Sequence, residues 1–228
     1  MAQQPLAAPQ MVVNSRMLYT SWMPADPEAA AALLPPGGPT PAGPVYMNQY
    51  VVDTDDQTSG FGAYSLTYLG LDIAGMMDPE GVLPARYMLF YFNSSERMRE
   101  YTIREYDLPA VPGATTVEQD GGTVTATVSL DGTPTIRARA AIGSDIAMVA
   151  RGMLTYVRQK EGRFMAGNFP YIADMADGFE VRGIEFLDPS HPVYALRPAD
   201  EPEVVAAGSF FSPSDSFVYP GGVYEVSF

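Results

Sequence analysis

Very few side chains in this sequence can serve as a nucleophile or a base at neutral pH. Its 228 residues hold one lysine, Lys160, one histidine, His191, and no cysteine. Imine chemistry needs an amine with a depressed pKa, and general base catalysis most often uses an imidazole, so each has a single candidate. His191 stands in Asp188-Pro189-Ser190-His191-Pro192, a turn-rich context. With no thiolate and no second histidine, a zinc site would rest on carboxylates almost alone. Asp53, Asp55 and Asp56 have part of a calcium-loop spacing but lack its glycine and distal glutamate, so they read as a solvated turn. Neither a GxSxG elbow nor a glycine-rich phosphate loop occurs. No metal and no cofactor is expected.

The remaining chemistry lies in one arginine and the aromatic complement. Arg16 sits in VVNSRMLYTSW, a mostly apolar stretch. Such an arginine either snorkels to solvent or is buried to hold an anion, and the pattern alone favours solvent. Thirteen methionines and fourteen tyrosines could line an apolar pocket with a few hydroxyls, although an ordinary core is the commoner explanation.

Hydrophobic residues make up 46% of the chain, which supports a substantial core, and nothing divides it convincingly. We expect one domain over residues 11–228, preceded by a loose arm of residues 1–10. A net charge of −14 repels phosphate backbones and anionic lipid surfaces, so neither nucleic acid nor membrane is an expected partner. No apolar run approaches the ~18 residues of a membrane span. The N-terminus does not read as a signal peptide, and absent cysteine fits a reducing cytoplasm.

The elements that would position these residues are mostly strands. Period-two patterns predict strands over Arg16–Met23, Val45–Asp53, Gly60–Ile73, Ala85–Phe92, Phe179–Leu187, Pro192–Leu196 and Val204–Tyr219. Asp131-Gly132 joins Thr123–Leu130 to Thr133–Ala141, and Lys160-Glu161-Gly162 joins Gly152–Gln159 to Arg163–Ala166, giving two hairpins. A short helix is expected over Glu28–Leu34, with Asp26 as N-cap and Pro27 in its first turn. A second, about 94–105, would start from a capping box of Asn93 and Glu96. Two helices among about ten strands point to a mainly β fold, an antiparallel closed or nearly closed barrel of a size that commonly holds a small ligand.

Three segments resemble the acetoacetate decarboxylase superfamily: Asn14–Pro35 (NSRMLYTSWMPADPEAAAALLP), Thr58–Tyr64 (TSGFGAY) and Arg104–Pro109 (REYDLP). The resemblance implies a cone-shaped antiparallel β-barrel around a central cavity, in which the classical enzyme uses a lysine Schiff base, a neighbouring lysine, an arginine and two glutamates. Carried over, the arginine matches Arg16, the glutamates fall at Gln49 and Leu66, and the lysine pair falls at Ala110 and Val111. This chain therefore resembles a member without the imine-forming lysine. Lys160, at an apparent hairpin tip, offers no substitute.

What remains is a cavity with Arg16 as an anion anchor and Gln49 as a non-titrating donor and acceptor. Tyr64 and Tyr106 are candidate hydrogen-bonding acids. Tyr19, Met47, Leu66, Leu108, Ala110 and Val111 are candidate wall residues around a small, apolar, polyfunctional metabolite. Such equipment suits proximity and orientation better than proton shuttling. The expected function is an imine-independent enzyme of polyketide-like secondary metabolism. Cyclisation, including concerted cycloaddition, comes first, and lyase or dehydratase chemistry on a keto acid second. A non-catalytic carrier using the same cavity is the alternative, then an oligomeric scaffold with a filled barrel. A homo-oligomer is compatible with any of these.

Overall fold

The computed structural model describes residues 5–228, and the first four residues of the expected N-terminal arm lie outside it. The chain is mainly β, with thirteen strands, two α-helices and three short 3-10 turns among the described residues. The chain reaches regular structure early: β1 (Gln10–Trp22) already begins at Gln10, and Leu6 packs against the large interior aromatic cluster. None of the described helices is long and apolar enough to cross a membrane.

One sheet has nine strands. Its path runs β12 (Phe210–Tyr219), β1, β2 (Pro41–Val52), β3 (Tyr64–Met77), β4 (Pro84–Asn93), β9 (Ile146–Lys160), β10 (Arg163–Ala176) and β13 (Tyr224–Val226). The short β5 (Ala110–Pro112) joins β4. β10 also pairs with β12, so the path returns to its first strand and seven strands form a closed circuit. Pairing is antiparallel except where β4 meets β5 and β9. A second, antiparallel sheet has the order β11 (Glu180–Phe186), β8 (Thr133–Ala141), β7 (Thr123–Leu130) and β6 (Ala114–Asp120).

Two apolar cores follow from this layout. Leu18, Met47, Val51 and Leu69 on the outward face of β1–β3 pack with Val124, Ala126 and Ile136 of the second sheet. The inward face carries tyrosines and methionines from the same strands. Strands buried on both faces lose the apolar–polar alternation that marks a half-exposed sheet. Expected strands were therefore found without any indication of which side faced inward.

Both expected hairpins form. Asp131 and Gly132 have φ of 49° and 79°, and Glu161 and Gly162 have 51° and 80°, the left-handed pair that a two-residue turn between twisted strands requires. Lys160 pairs with Arg163, so it ends β9 rather than lying in the turn.

Helix α1 (Pro27–Ala31) starts as expected, with the Asp26 carboxylate accepting from Ala29 N at 2.9 Å. Helix α2 (Glu96–Tyr106) is capped differently. Ser95 Oγ accepts from Met98 N at 3.3 Å, while Asn93, two residues before the cap, accepts from Ser95 N at 2.7 Å through its Oδ1. Pro192–Leu196 is a 3-10 turn instead of a strand. Pro192 has no N–H to give a ladder, and His191 Nδ1 accepts from Val193 N at 3.1 Å to start the turn. The last long strand begins at Phe210 rather than Val204, because Ala206–Gly208 forms another 3-10 turn. Strands β5, β6 and β13 had no counterpart in the sequence reading.

Candidate functional site

Strand register assembles the site. Phe210, Tyr19, Asn48, Tyr68 and Tyr91 stand directly opposite one another across β12, β1, β2, β3 and β4. Cross-strand partners share a face, so this row paints one band of the interior. Beyond it a register shift between Leu69 and Gly70 turns Met88 and Arg86 inward as well. Gly70 is required there, since a Cβ would strike the Tyr87 carbonyl and the Tyr46 hydroxyl. Arg86 then lies opposite Asp72 on one side and Tyr156 on the other.

Arg86 is the one buried arginine or lysine among the described residues, with 5% of its side chain exposed. Its Nε donates to Asp72 Oδ1 at 3.1 Å and its Nη1 to the Tyr19 hydroxyl at 2.7 Å. Its guanidinium also lies over the rings of Tyr19 and Tyr46, at 5.0 and 5.2 Å from their centroids. Burial works against its charge, but Tyr19, Tyr156 and Asp72 outweigh that and hold Arg86 firmly protonated. Burial raises the Asp72 carboxyl, and Arg86 pulls it back toward the ionised form.

A chain of hydroxyls continues from this pair. Tyr19 Oη lies 3.4 Å from Tyr156 Oη, and Tyr156 Oη lies 2.8 Å from Tyr68 Oη. Asn48 Nδ2 donates to Tyr68 Oη at 2.9 Å. Burial raises the pKa of all three phenols, so they are neutral donors and acceptors at physiological pH.

These groups line a cavity of about 100 Å³, several times the ~10–15 Å³ that one water requires. Met17, Leu154, Phe169 and Phe217 supply apolar wall, and the exposed Ala207 marks where it reaches the surface. Asp215 of β12 lies on the same wall. Its residue is 1% exposed and its Oδ1 has no hydrogen-bond partner among the described residues. Burial alone pushes its carboxyl up to about 7. A group with that pKa can both give and take a proton near neutrality.

Neither a protein-family profile nor a curated protein sequence matches this chain. Solved structures do. An acetoacetate decarboxylase superposes with a TM-score of 0.68 at 13% identity, covering 97% of this chain and 91% of that one. The acetoacetate decarboxylase of Legionella pneumophila gives 0.70 at 11%, covering 99% and 92%. The enduracididine biosynthesis enzyme MppR, complexed with pyruvate, gives 0.62 at 15%, covering 99% and 92%. The chain has the acetoacetate decarboxylase-like fold.

Within that fold the candidate site residues expected from the sequence scatter. Tyr19 and Leu108 line the cavity. Tyr64, Leu66 and Tyr106 belong to the interior aromatic cluster but sit off the cavity wall. There the Tyr64 hydroxyl bonds to Tyr50 at 2.8 Å, and Tyr106 Oη accepts from Gly221 N at 2.9 Å. Ala110 packs against that cluster, whereas Val111 beside it is 45% exposed.

Arg16, Gln49 and Met47 face the other way. Leu18 pairs with Gln49 and Arg16 with Val51, so Arg16 and Gln49 do share a face, but it is the outer one. Arg16 forms a two-pronged contact with Asp53, at 3.1 and 2.8 Å, and donates to the Val117 carbonyl at 2.8 Å. The expectation of a cavity anion anchor at Arg16 is thus corrected: parity puts Tyr19 inside and leaves Arg16 on the outer face. Gln49 is fully buried against the second sheet, with neither amide atom partnered.

Lys160 is half-buried at the end of β9, where its Nζ donates to the Arg104 carbonyl at 3.3 Å. His191 packs on Phe90 and Phe92 away from the cavity, and no group of three or more potential metal ligands gathers among the described residues. The functional groups missed from the sequence are Arg86, Asp72, Asn48, Tyr68, Tyr156 and Asp215. A signal existed for two of them: Asp72 and Arg86 are lone charges inside adjacent expected strands, a pattern that suggests a buried pair. Asp215, in FSPSDSFVY, carried none.

Proposed function

We propose that this chain is an imine-independent enzyme acting on a small, largely apolar metabolite with an enolisable carbonyl, within a cone-shaped barrel formed by the closed strand circuit. The observation that carries the reading is Asp215, a buried carboxyl with an unpartnered oxygen and a pKa near 7, on the wall that also holds the Arg86–Tyr19 donor pair. In this scheme Asp215 takes a proton from the carbon beside the carbonyl. The developing enolate oxygen is stabilised by cavity hydroxyls backed by Arg86.

Cyclisation follows if the enolate carbon attacks a second electrophilic centre of the same molecule, folded against the aromatic wall, and the proton on Asp215 returns to the new oxyanion. Dehydration or retro-aldol cleavage would use the same two groups. The pyruvate complex of the structural neighbour MppR supports a keto substrate, and that neighbour's place in biosynthesis supports secondary metabolism. Lys160, half-buried at the end of β9 and absent from the cavity wall, supports a mechanism without an imine.

The test is α-proton exchange in D2O, followed by NMR, with pyruvate and 2,4-pentanedione as probes. Wild-type protein should accelerate deuterium incorporation, Asp215→Asn should not, and borohydride added to the mixture should leave the protein mass unchanged. Exchange at the buffer rate, or equal exchange by Asp215→Asn, would sink the reading. A borohydride adduct on Lys160 would overturn its imine-independent part.

A further inference from the structure

The hydroxyl chain in the cavity contains more protons than its internal contacts can use. Tyr19, Tyr156 and Tyr68 bring three O–H groups, linked by two oxygen–oxygen contacts of 3.4 and 2.8 Å. Each link consumes one proton. Both ends of the chain are closed by groups that only donate there. Arg86 has no acceptor atom, and its Nη1 points at Tyr19. At the other end Asn48 Nδ2 points at Tyr68.

The orientation of that amide is set by its second contact: Nδ2 also lies 3.2 Å from Met17 Sδ, an acceptor with no proton to offer. Asn48 Oδ1 is buried and accepts no hydrogen bond among the described residues, from these three hydroxyls or any other group. Whichever way the protons are dealt, two are used in the links and one is left. Burial keeps all three phenols protonated, so the surplus persists across neutral pH.

We propose that this surplus hydroxyl proton, carried by the Tyr19–Tyr156–Tyr68 cluster, is the specificity element of the cavity and selects ligands that present a carbonyl or enolate oxygen. All three tyrosines line the cavity. An unmet donor in an apolar site is costly, and an incoming oxygen acceptor removes that cost. A ligand offering only N–H donors leaves it in place. The Arg86 charge, two bonds upstream, strengthens the donor as negative charge grows on the ligand oxygen. The inference concerns the same cavity as the proposed reaction, but it requires only binding.

The experiment uses 13C=O cyclohexanone as probe and its infrared carbonyl band as readout. Bound to wild-type protein, the band should lie at lower frequency than for the ketone in an apolar solvent. Two variants with the same position altered separate the proton count from simple packing. Asn48→Leu removes the amide but adds no acceptor, so the surplus proton and the downshift remain.

Asn48→Asp, at pH 8, gives Tyr68 a carboxylate to donate to, the chain turns toward it, and the downshift is lost. A wild-type band at the apolar-solvent position, no binding of the ketone at millimolar concentration, or a downshift that survives in Asn48→Asp would each overturn the proposal. Should Asn48→Asp fail to fold, replacing all three tyrosines with Phe must abolish the downshift. The downshift can hold while Asp215→Asn and wild type show no exchange, in which case the proposed reaction fails and this inference stands.

Discussion

Replacing Asp215 with Asn should stabilise the protein at alkaline pH and leave it almost unchanged in acid. The carboxyl has a folded-state pKa of about 7 against 3.8 for the unperturbed group. The folded chain therefore holds this proton across a pH range where the unfolded chain has released it. Because the folded pKa is raised, not depressed, the group imposes no penalty below about pH 3.8. The penalty grows as pH rises toward 7 and is constant above it. At about 1.4 kcal/mol per unit, the full penalty is on the order of 4 kcal/mol, of which about 2 to 3 develops between pH 5 and pH 8.

Asn cannot ionise, so the variant escapes that penalty. Urea denaturation of both proteins at pH 5 and pH 8 measures it. The stability gain of Asp215→Asn should be larger at pH 8 by about 2 to 3 kcal/mol. A gain that is the same at both pH values, or a loss that grows with pH, would refute the assignment of a buried, unpaired carboxyl. Stabilisation combined with loss of proton exchange is the trade expected where a strained group is kept for chemistry.

Arg86→Met should destabilise by about 3–5 kcal/mol in urea denaturation, because it strands Asp72 in the interior, and adding Asp72→Asn should recover most of that loss. Arg16→Met should cost under about 1 kcal/mol, since its partner Asp53 is half exposed, and should leave ketone binding and proton exchange unchanged. A tenfold loss of exchange in Arg16→Met would restore that arginine to the site. Gln49→Met keeps the volume and removes two unpartnered polar atoms, so the midpoint of unfolding should rise, by about 1 kcal/mol. A lower midpoint would show that the amide has a partner in solution.

The paucity of nucleophiles was fixed by composition: one lysine and one histidine cannot be multiplied by folding, and neither lines the cavity. Turn chemistry was equally legible. Asp131-Gly132 and Glu161-Gly162 specify their hairpins because a left-handed pair of residues matches the twist of two tightly joined strands, and Asp26-Pro27 starts its helix for reasons confined to one turn. Mainly β architecture followed from those strands.

What the sequence could not decide was which face of each strand turns inward. Arg16 and Tyr19 lie three apart on one strand, so only one could enter the cavity, and the choice needed the second sheet. That sheet buries Leu18, Met47 and Gln49 on the outside as completely as the interior buries Tyr19 and Asn48, which erases the alternation that would have told the sides apart. Register decided the rest. Arg86 is 14 residues from Asp72 and 70 from Tyr156 in sequence, and the three become a site only because β4 pairs with β3 on one edge and β9 on the other. Asp215 is ordinary in sequence and acquires its pKa solely from the closure of β12 against β1 and β10, which removes water from a carboxyl and supplies nothing in its place.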